Sequence, residues 1–274
     1  MAAHVYSRSF AARMPDWVLS VFTLLFFIFM IAPIAVVVAA SFTSVSYVSF
    51  PPVGFSLKWF GKVWDYKPFV DSFIVSLEVA FGSAIIGAIL AIPAALHLAR
   101  SRSAFAGAIS SFMLSPLSLP AIVLGFSLLF YLSAIGVPLS ITSLLIAHTV
   151  VTVPYIMRSV IGIYRSVSPS YEEAAAVLGA GSMQTFWHVT LPMIRPGVFA
   201  GALFAILISI DNLPLSFFFS SVNTNTLPVV VLSYLENQFD PAIAAISTIQ
   251  LLFAILLLVI MERMYGLRRM ALSM

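Results

Sequence analysis

Few side chains in this 274-residue chain could do chemistry, and their placement says which kind. Glu172 and Glu173 are adjacent and open an alanine run. Asp211 stands beside Asn212 inside an apolar stretch, and Glu78 and His148 lie inside two others. An ionisable group within a long apolar segment is costly to desolvate, so it faces protein interior or water and is a functional candidate by default. Asp211 offers a negative site to a cation or amine; a structural aspartate near a helix end is the alternative. Glu78 could line an outer vestibule or pair with Lys67. His148 could be a pathway group or a hydrogen-bonded tie between helices. Bond-making chemistry finds no support. There is no cysteine, the four histidines are scattered, and no His-Glu-x-x-His, Gly-x-Ser-x-Gly or nucleotide-binding Gly-x4-Gly-Lys-Ser/Thr occurs. No metal, cofactor or enzyme active site is expected in this polypeptide.

The carboxylate pair is positioned by Glu173-Ala174-Ala175-Ala176-Val177-Leu178-Gly179, continued to Val189-Thr190-Leu191-Pro192. Ser170 to Glu173 has the Ser-x-x-Glu spacing of a capping box, with Pro169 just upstream. The alanines favour helix, and Gly179 and Gly181 can end it with a left-handed residue. Ser182 is placed to cap a second short helix through Trp187, which Pro192 closes. Helices this short are marginal alone in water. They must dock on something. Glu172 and Glu173 suit the positive end of the first helix and could meet basic groups on a partner. Phe186 and Trp187 could anchor the second short helix against the bundle or a partner, with core packing the favoured role.

Composition places these elements in a membrane, with 61% hydrophobic, 14% aromatic and 8% charged residues. Uncharged runs long enough to cross a bilayer recur throughout. Trp17–Ala40 is too long for the apolar core of a signal peptide, normally about 7–15 residues, and is expected to span. Ser103–Met157 carries no permanent charge, and its length suits two spans broken at the Gly136–Pro138 turn. Six transmembrane helices are expected, at about 17–40, 70–98, 106–132, 139–163, 196–219 and 241–262, within one domain. Ser56–Phe60 could start a short interfacial helix. Residues 221–238 are too short an apolar stretch to cross and are expected to be re-entrant or interfacial. With six spans both termini share a side. That side, with the Arg100 loop and the 168–192 loop, holds all ten arginines, including Arg8, Arg13, Arg102, Arg268 and Arg269. The opposite side holds Lys58, Lys62 and Lys67. By the positive-inside rule both termini and the 168–192 loop are cytoplasmic. The net charge of +3 forms no basic patch with exposed aromatics, so nucleic acid is excluded as a partner.

Glu-Ala-Ala, three residues, Gly, nine residues and Ile/Val-x-Leu-Pro resembles the EAA loop of ABC-importer permeases, with Glu173, Gly179, Val189, Leu191 and Pro192 at the fixed positions. Ile210-Asp211-Asn212 and Thr226-Leu227-Pro228, with a final apolar helix, look like the branch importing polyamines and related small solutes. The likeness covers most of the chain. One departure is Gly181-Ser182, where the family often has Ser-Pro. The resemblance implies an all-α integral membrane permease subunit with six spans and cytoplasmic coupling helices, in a bacterial inner membrane. Residues 172–175, Gly179, Leu191 and Pro192 would then couple to the ATPase, while Asp211, Asn212, Glu78 and His148 are the substrate-path candidates. It further implies two ATPase subunits carrying ATP and Mg, a second permease subunit (a different chain being favoured), and a periplasmic or extracellular solute-binding protein. The cargo would be a polyamine or another small amine-bearing solute. Two rivals are an ion- or proton-coupled secondary transporter using Asp211, Glu78 and His148 as a relay, and a polytopic membrane enzyme.

Overall fold

In the computed structural model the described residues are 16–101 and 103–265, and their regular structure is entirely helical. In chain order the elements are α1 (Asp16–Ala40), α2 (Lys58–Asp65), α3 (Lys67–Arg100), α4 (Ala104–Leu114), a 3₁₀ turn (Ser115–Ser118), α5 (Ala121–Ala134) and α6 (Ile141–Ser166). They continue with α7 (Ser170–Val177), α8 (Ser182–Thr185), a π-turn (Phe186–Thr190), α9 (Leu191–Ile210), α10 (Leu213–Phe218), α11 (Leu227–Asn237) and α12 (Ala242–Tyr265). Arg8, Arg13, Arg102, Arg268 and Arg269 lie outside the described residues, as do both termini.

Five helical stretches are long and apolar enough to span a membrane alone: Trp17–Ala40, Lys67–Arg100, Ile141–Ser166, Ser182–Ile210 and Ala242–Arg263. The span expected over 106–132 is different. It consists of two helices bent by 110° at Leu119-Pro120. Leu119 is extended, at φ −88° and ψ 140°, as a residue preceding proline prefers, and Pro120 has no N–H with which to continue the turn. The span expected over 196–219 also differs. The helix starts earlier, at Ser182, and ends at Ile210, and a short α10 follows the break. Pro192, expected from its chemistry to close the second short helix, does not do so. Just before it, the Leu191 amide reaches the Phe186 carbonyl five residues back, widening one turn. That π-turn shifts the bonding register next to the residue lacking an N–H, so the helix runs through.

By their internal contacts the described residues group into two compact units, one of residues 16–63 together with 239–249, the other of 64–238 with the rest of α12. In the first, α1 turns Phe22 and Phe29 outward along its length, as a lipid-facing helix does. Beyond it, Phe42 stacks on Phe55 at 5.1 Å, Trp59 Nε1 donates to Thr43 O at 2.9 Å, and Lys62 pairs with Asp240.

The second unit is built on α3, α6 and α9. Ala84, Ala91 and Ala95 of α3 and Ile156, Met157 and Val160 of α6 are buried together with Ile194 and Ala205 of α9. Small residues let the backbones approach, which replaces the hydrophobic drive that lipid cannot supply. Gly201 shows how close: a Cβ there would lie 2.7 Å from Ile156 Cα. A second cluster joins Val79, Leu132, Leu144, Ala147, Leu215 and Phe219, so α5 and α10 pack with α3 and α6.

Gly201→Ala is therefore expected to destabilise the protein by about 1–3 kcal/mol through overpacking against backbone. Gly107→Ala in α4, where a Cβ meets nothing within 4 Å, should leave stability unchanged or raised. Thermal unfolding midpoints of the two detergent-solubilised variants check this.

Candidate functional site

Two places gather the chemistry-bearing residues. The first is the 168–192 segment. The expected Ser170–Glu173 capping box is not formed: Pro169 occupies the N-cap position and no side chain caps the helix. Ser168 Oγ lies 2.8 Å from Ser170 Oγ and accepts the Ser170 amide at 3.4 Å, while Glu172 turns elsewhere. The C-terminal end of α7 is well defined. The Ala180 amide donates to Ala175 O and the Gly179 amide to Ala176 O, both at 3.0 Å, with Gly179 at φ +85°. These are the two bonds of a Schellman cap around a left-handed residue. At the next helix Gly181, not Ser182, is the N-cap, and its amide donates to Gln184 Oε1 at 3.1 Å.

The two adjacent glutamates face opposite ways. Glu173 is exposed, with Ala174, Ala176, Val177 and Leu178 on the open side of α7; the last two are 87% and 88% exposed. Ala175 is half-buried. Leu191 and Pro192 lie at the start of α9, inside the continuous helix. Trp187, expected in the core, is 56% exposed because the π-turn carries it outward while Thr190 turns in. Glu172 is held within the chain. Tyr164 Oη of α6 donates to its carboxylate at 3.0 Å, Thr190 Oγ1 donates to Oε1, and Arg100 Nη2 at the end of α3 lies 3.2 Å from Oε2. The Arg100 guanidinium also stacks over the Tyr164 ring at 4.3 Å.

The second place is the break between α9 and α10. The Asp211 amide still bonds to Leu207 O, but Asn212 leaves the helix and its Oδ1 caps α10 by accepting the Leu215 amide at 3.2 Å. Pro214 then suits the first turn of α10. The exposed Asp211 carboxylate makes no hydrogen bond or ion pair with another described residue. It lines an open groove of about 510 Å³ with Asn212, Pro214, Tyr155 of α6, and Leu117 and Leu119 of the bent pair. Gly125 brings α5 against α10, since a Cβ there would lie 3.2 Å from Leu215 Cα. His148 does not line that groove. It is 1% exposed, with Nδ1 2.7 Å from Ser209 Oγ and Nε2 3.1 Å from Ser216 Oγ, and so clasps both sides of the break. Glu78 is exposed on α3, away from the groove lining, and forms no ion pair with Lys67 among the described residues.

The family of binding-protein-dependent transport system inner membrane components matches residues 83–269, from mid-α3 to beyond α12. The chain belongs to this family. It is a permease component of an ABC importer, a multi-pass inner-membrane subunit and not an enzyme; ATP is hydrolysed by partner subunits. The chain is 32% identical over 236 residues to the putrescine transport system permease protein PotI of Escherichia coli K12, covering 84% of each. It is 33% identical over 203 residues to the molybdenum transport system permease protein ModB of Mycobacterium tuberculosis, covering 69% of this chain and 76% of that one. A crystal structure of a bacterial ABC transporter importing the acidic polysaccharide alginate shares the fold, with TM-score 0.70, 17% identity, and coverage of 94% and 99%.

Arg100, Tyr164 and Thr190, the partners of Glu172, escape a reading of the permease sequence because they come from three separate helices. Helical period was the available signal for the division of labour: Glu172 and Ala175 share a face of α7 and Glu173 does not. Tyr155, Ser209 and Ser216 lie on spans whose polar residues are too many to sort without knowing which faces pack.

Replacing His148 with Leu removes two interhelical hydrogen bonds across the break and is expected to lower stability by about 1–3 kcal/mol. Glu78→Gln, on an exposed surface, should leave it within about 0.5 kcal/mol. Parallel thermal melts of the purified permease discriminate the two.

Proposed function

We propose that this permease forms half of a solute pathway and couples it to ATP hydrolysis through α7 and the helix that follows. The carrying observation is the exposed face of α7, with Glu173, Val177 and Leu178 outward and the helix fixed at both ends. An apolar patch rimmed by a carboxylate suits a groove on another subunit. On this reading two ATPase subunits carrying ATP and Mg dock there, a second, different permease chain completes the pathway, and a solute-binding protein delivers cargo on the opposite side. The arginine distribution supports cytoplasmic placement of the loop and of both termini. ATP binding draws the ATPase subunits together, α7 moves with them, and the α3–α6–α9 core switches between inward- and outward-open arrangements. Such switching requires a bistable interface and no reactive group.

The cargo is a polyamine or another small amine-bearing solute. The likeness to PotI, a putrescine transport system permease, supports this, and so does the chemistry of the groove. Asp211 presents a carboxylate that no described residue neutralises, beside Asn212 and the ring of Tyr155, which is what an alkylammonium group requires. Asn212 contributes by capping α10 and so holding the break open. The likeness to ModB makes the charge at Asp211 the discriminating feature, since an oxyanion would be repelled there.

Glu173→Arg and Gly179→Asp should each abolish solute-stimulated ATP hydrolysis in the reconstituted complex while the chain still inserts. The glycine variant acts through its left-handed backbone, costing about 1–2 kcal/mol, because a Cβ at that position meets nothing. Unchanged hydrolysis and transport in both would refute the docking role. Asp211→Asn should raise the KM for putrescine uptake roughly ten-fold or more, the worth of one hydrogen bond to a charged group. An unchanged KM would remove Asp211 from the pathway.

A further inference from the structure

Glu172 and Glu173 are neighbours of the same type at the start of one short helix, yet their surroundings divide them. Glu173 looks out. Glu172 accepts from Tyr164 and Thr190 and meets Arg100, and its side chain keeps only 21% of its exposure. Its three partners belong to three different pieces of the bundle: Arg100 ends α3, Tyr164 lies in the last turns of α6, and Thr190 sits in the π-turn leading into α9. The partners are also tied to one another, because the Arg100 guanidinium lies over the Tyr164 ring. Those same three helices form the packed core of their unit. The carboxylate is the acceptor at which an eight-residue helix, too short to hold itself, is fastened to all of them.

We propose that the Arg100–Tyr164–Glu172–Thr190 node is a mechanical clamp that makes α7 and the ends of α3, α6 and α9 move as one body. Glu172 is then a positioning residue. It acts through α7, and it transmits displacement without touching nucleotide, solute or the ATPase subunit. The inference rests on the reading of α7 as the ATPase docking element, and Glu173 supplies the independent check of that reading. Ionic and hydroxyl contacts have separable parts. Gln at 172 keeps an acceptor for Tyr164 and Thr190 but loses the charge opposite Arg100, whereas Ala loses both.

The chain contains no cysteine, so spin labels can be placed cleanly at His97→Cys on α3 and Tyr171→Cys in the first turn of α7, both exposed and outside the proposed docking patch. The distance between them is measured in the complete complex in nanodiscs, nucleotide-free and trapped with ATP and vanadate. With Glu172 present, one narrow distance is expected, identical in the two states. Glu172→Ala should broaden it and make it nucleotide-dependent while the ATPase subunits still co-purify and hydrolyse ATP. Glu172→Gln should restore part of the narrow population, a graded rescue that simple loss of stability would not produce. A narrow, unchanged distance in the Ala variant overturns the clamp. Loss of the ATPase subunits from Glu172→Ala to the same degree as from Glu173→Arg also overturns it, because Glu172 would then be a docking residue. If Glu173→Arg leaves the subunits bound and active, the docking reading is what fails. Should Glu172→Ala not assemble, Tyr164→Phe and Thr190→Val each remove one donor, and an unbroadened distance in both refutes the clamp.

Discussion

Close approach of α3, α6 and α9 is the constraint on which the rest depends. In a bilayer the lipid is as apolar as the side chains, so helices are held by packing and by interior hydrogen bonds. Alanines 84, 91 and 95 and glycines 87, 197 and 201 let three backbones meet; even a methyl at Gly197 would lie 3.0 Å from the Ser159 carbonyl. Interior polar groups then bond across the contact, as Thr152 Oγ1 does to Ser83 O at 3.1 Å. The ends of these helices are thereby placed well enough for Arg100, Tyr164 and Thr190 to converge on one carboxylate.

Prolines shape the remainder, and their effects depend on what can replace the lost hydrogen bond. At Pro120 nothing does, and the chain turns by 110°. At Pro192 a π-turn moves the bonding register and the helix continues. Around Pro214 the side chain of Asn212 caps the new helix and His148 ties both sides together. Irregular backbone inside a membrane persists only where it is buried in protein or lines a cavity. The Asp211 break does both, with Asn212 buried and Asp211 facing the groove.

This division between rigid and open elements fits a subunit that moves without reacting. The α3–α6–α9 core is closely packed and holds α7 through Glu172, while the groove beside the bent α4–α5 pair has an interruption on each side. Within that groove the Asp211 carboxylate has no hydrogen-bond or ion-pair partner among the described residues.

Much of this was legible in the residues. Apolar run length placed the spans at Trp17–Ala40 and in α3, α6 and α12, because the thickness of a bilayer imposes a length that no soluble core requires. The spacing from Glu173 to Pro192 identified the loop, and an ionisable residue in an apolar run singled out Asp211. Other features were not legible. Proline chemistry alone predicted a helix end at Pro192, and the register shift that avoids it needs neighbours to hold the widened turn. The Ser170–Glu173 spacing predicted a cap, but Glu173 faces outward and Glu172 finds stronger partners in Arg100, Tyr164 and Thr190. Local spacing along one chain determines which helices can form and how long they are; which of two adjacent glutamates turns inward is decided only where three distant helix ends meet.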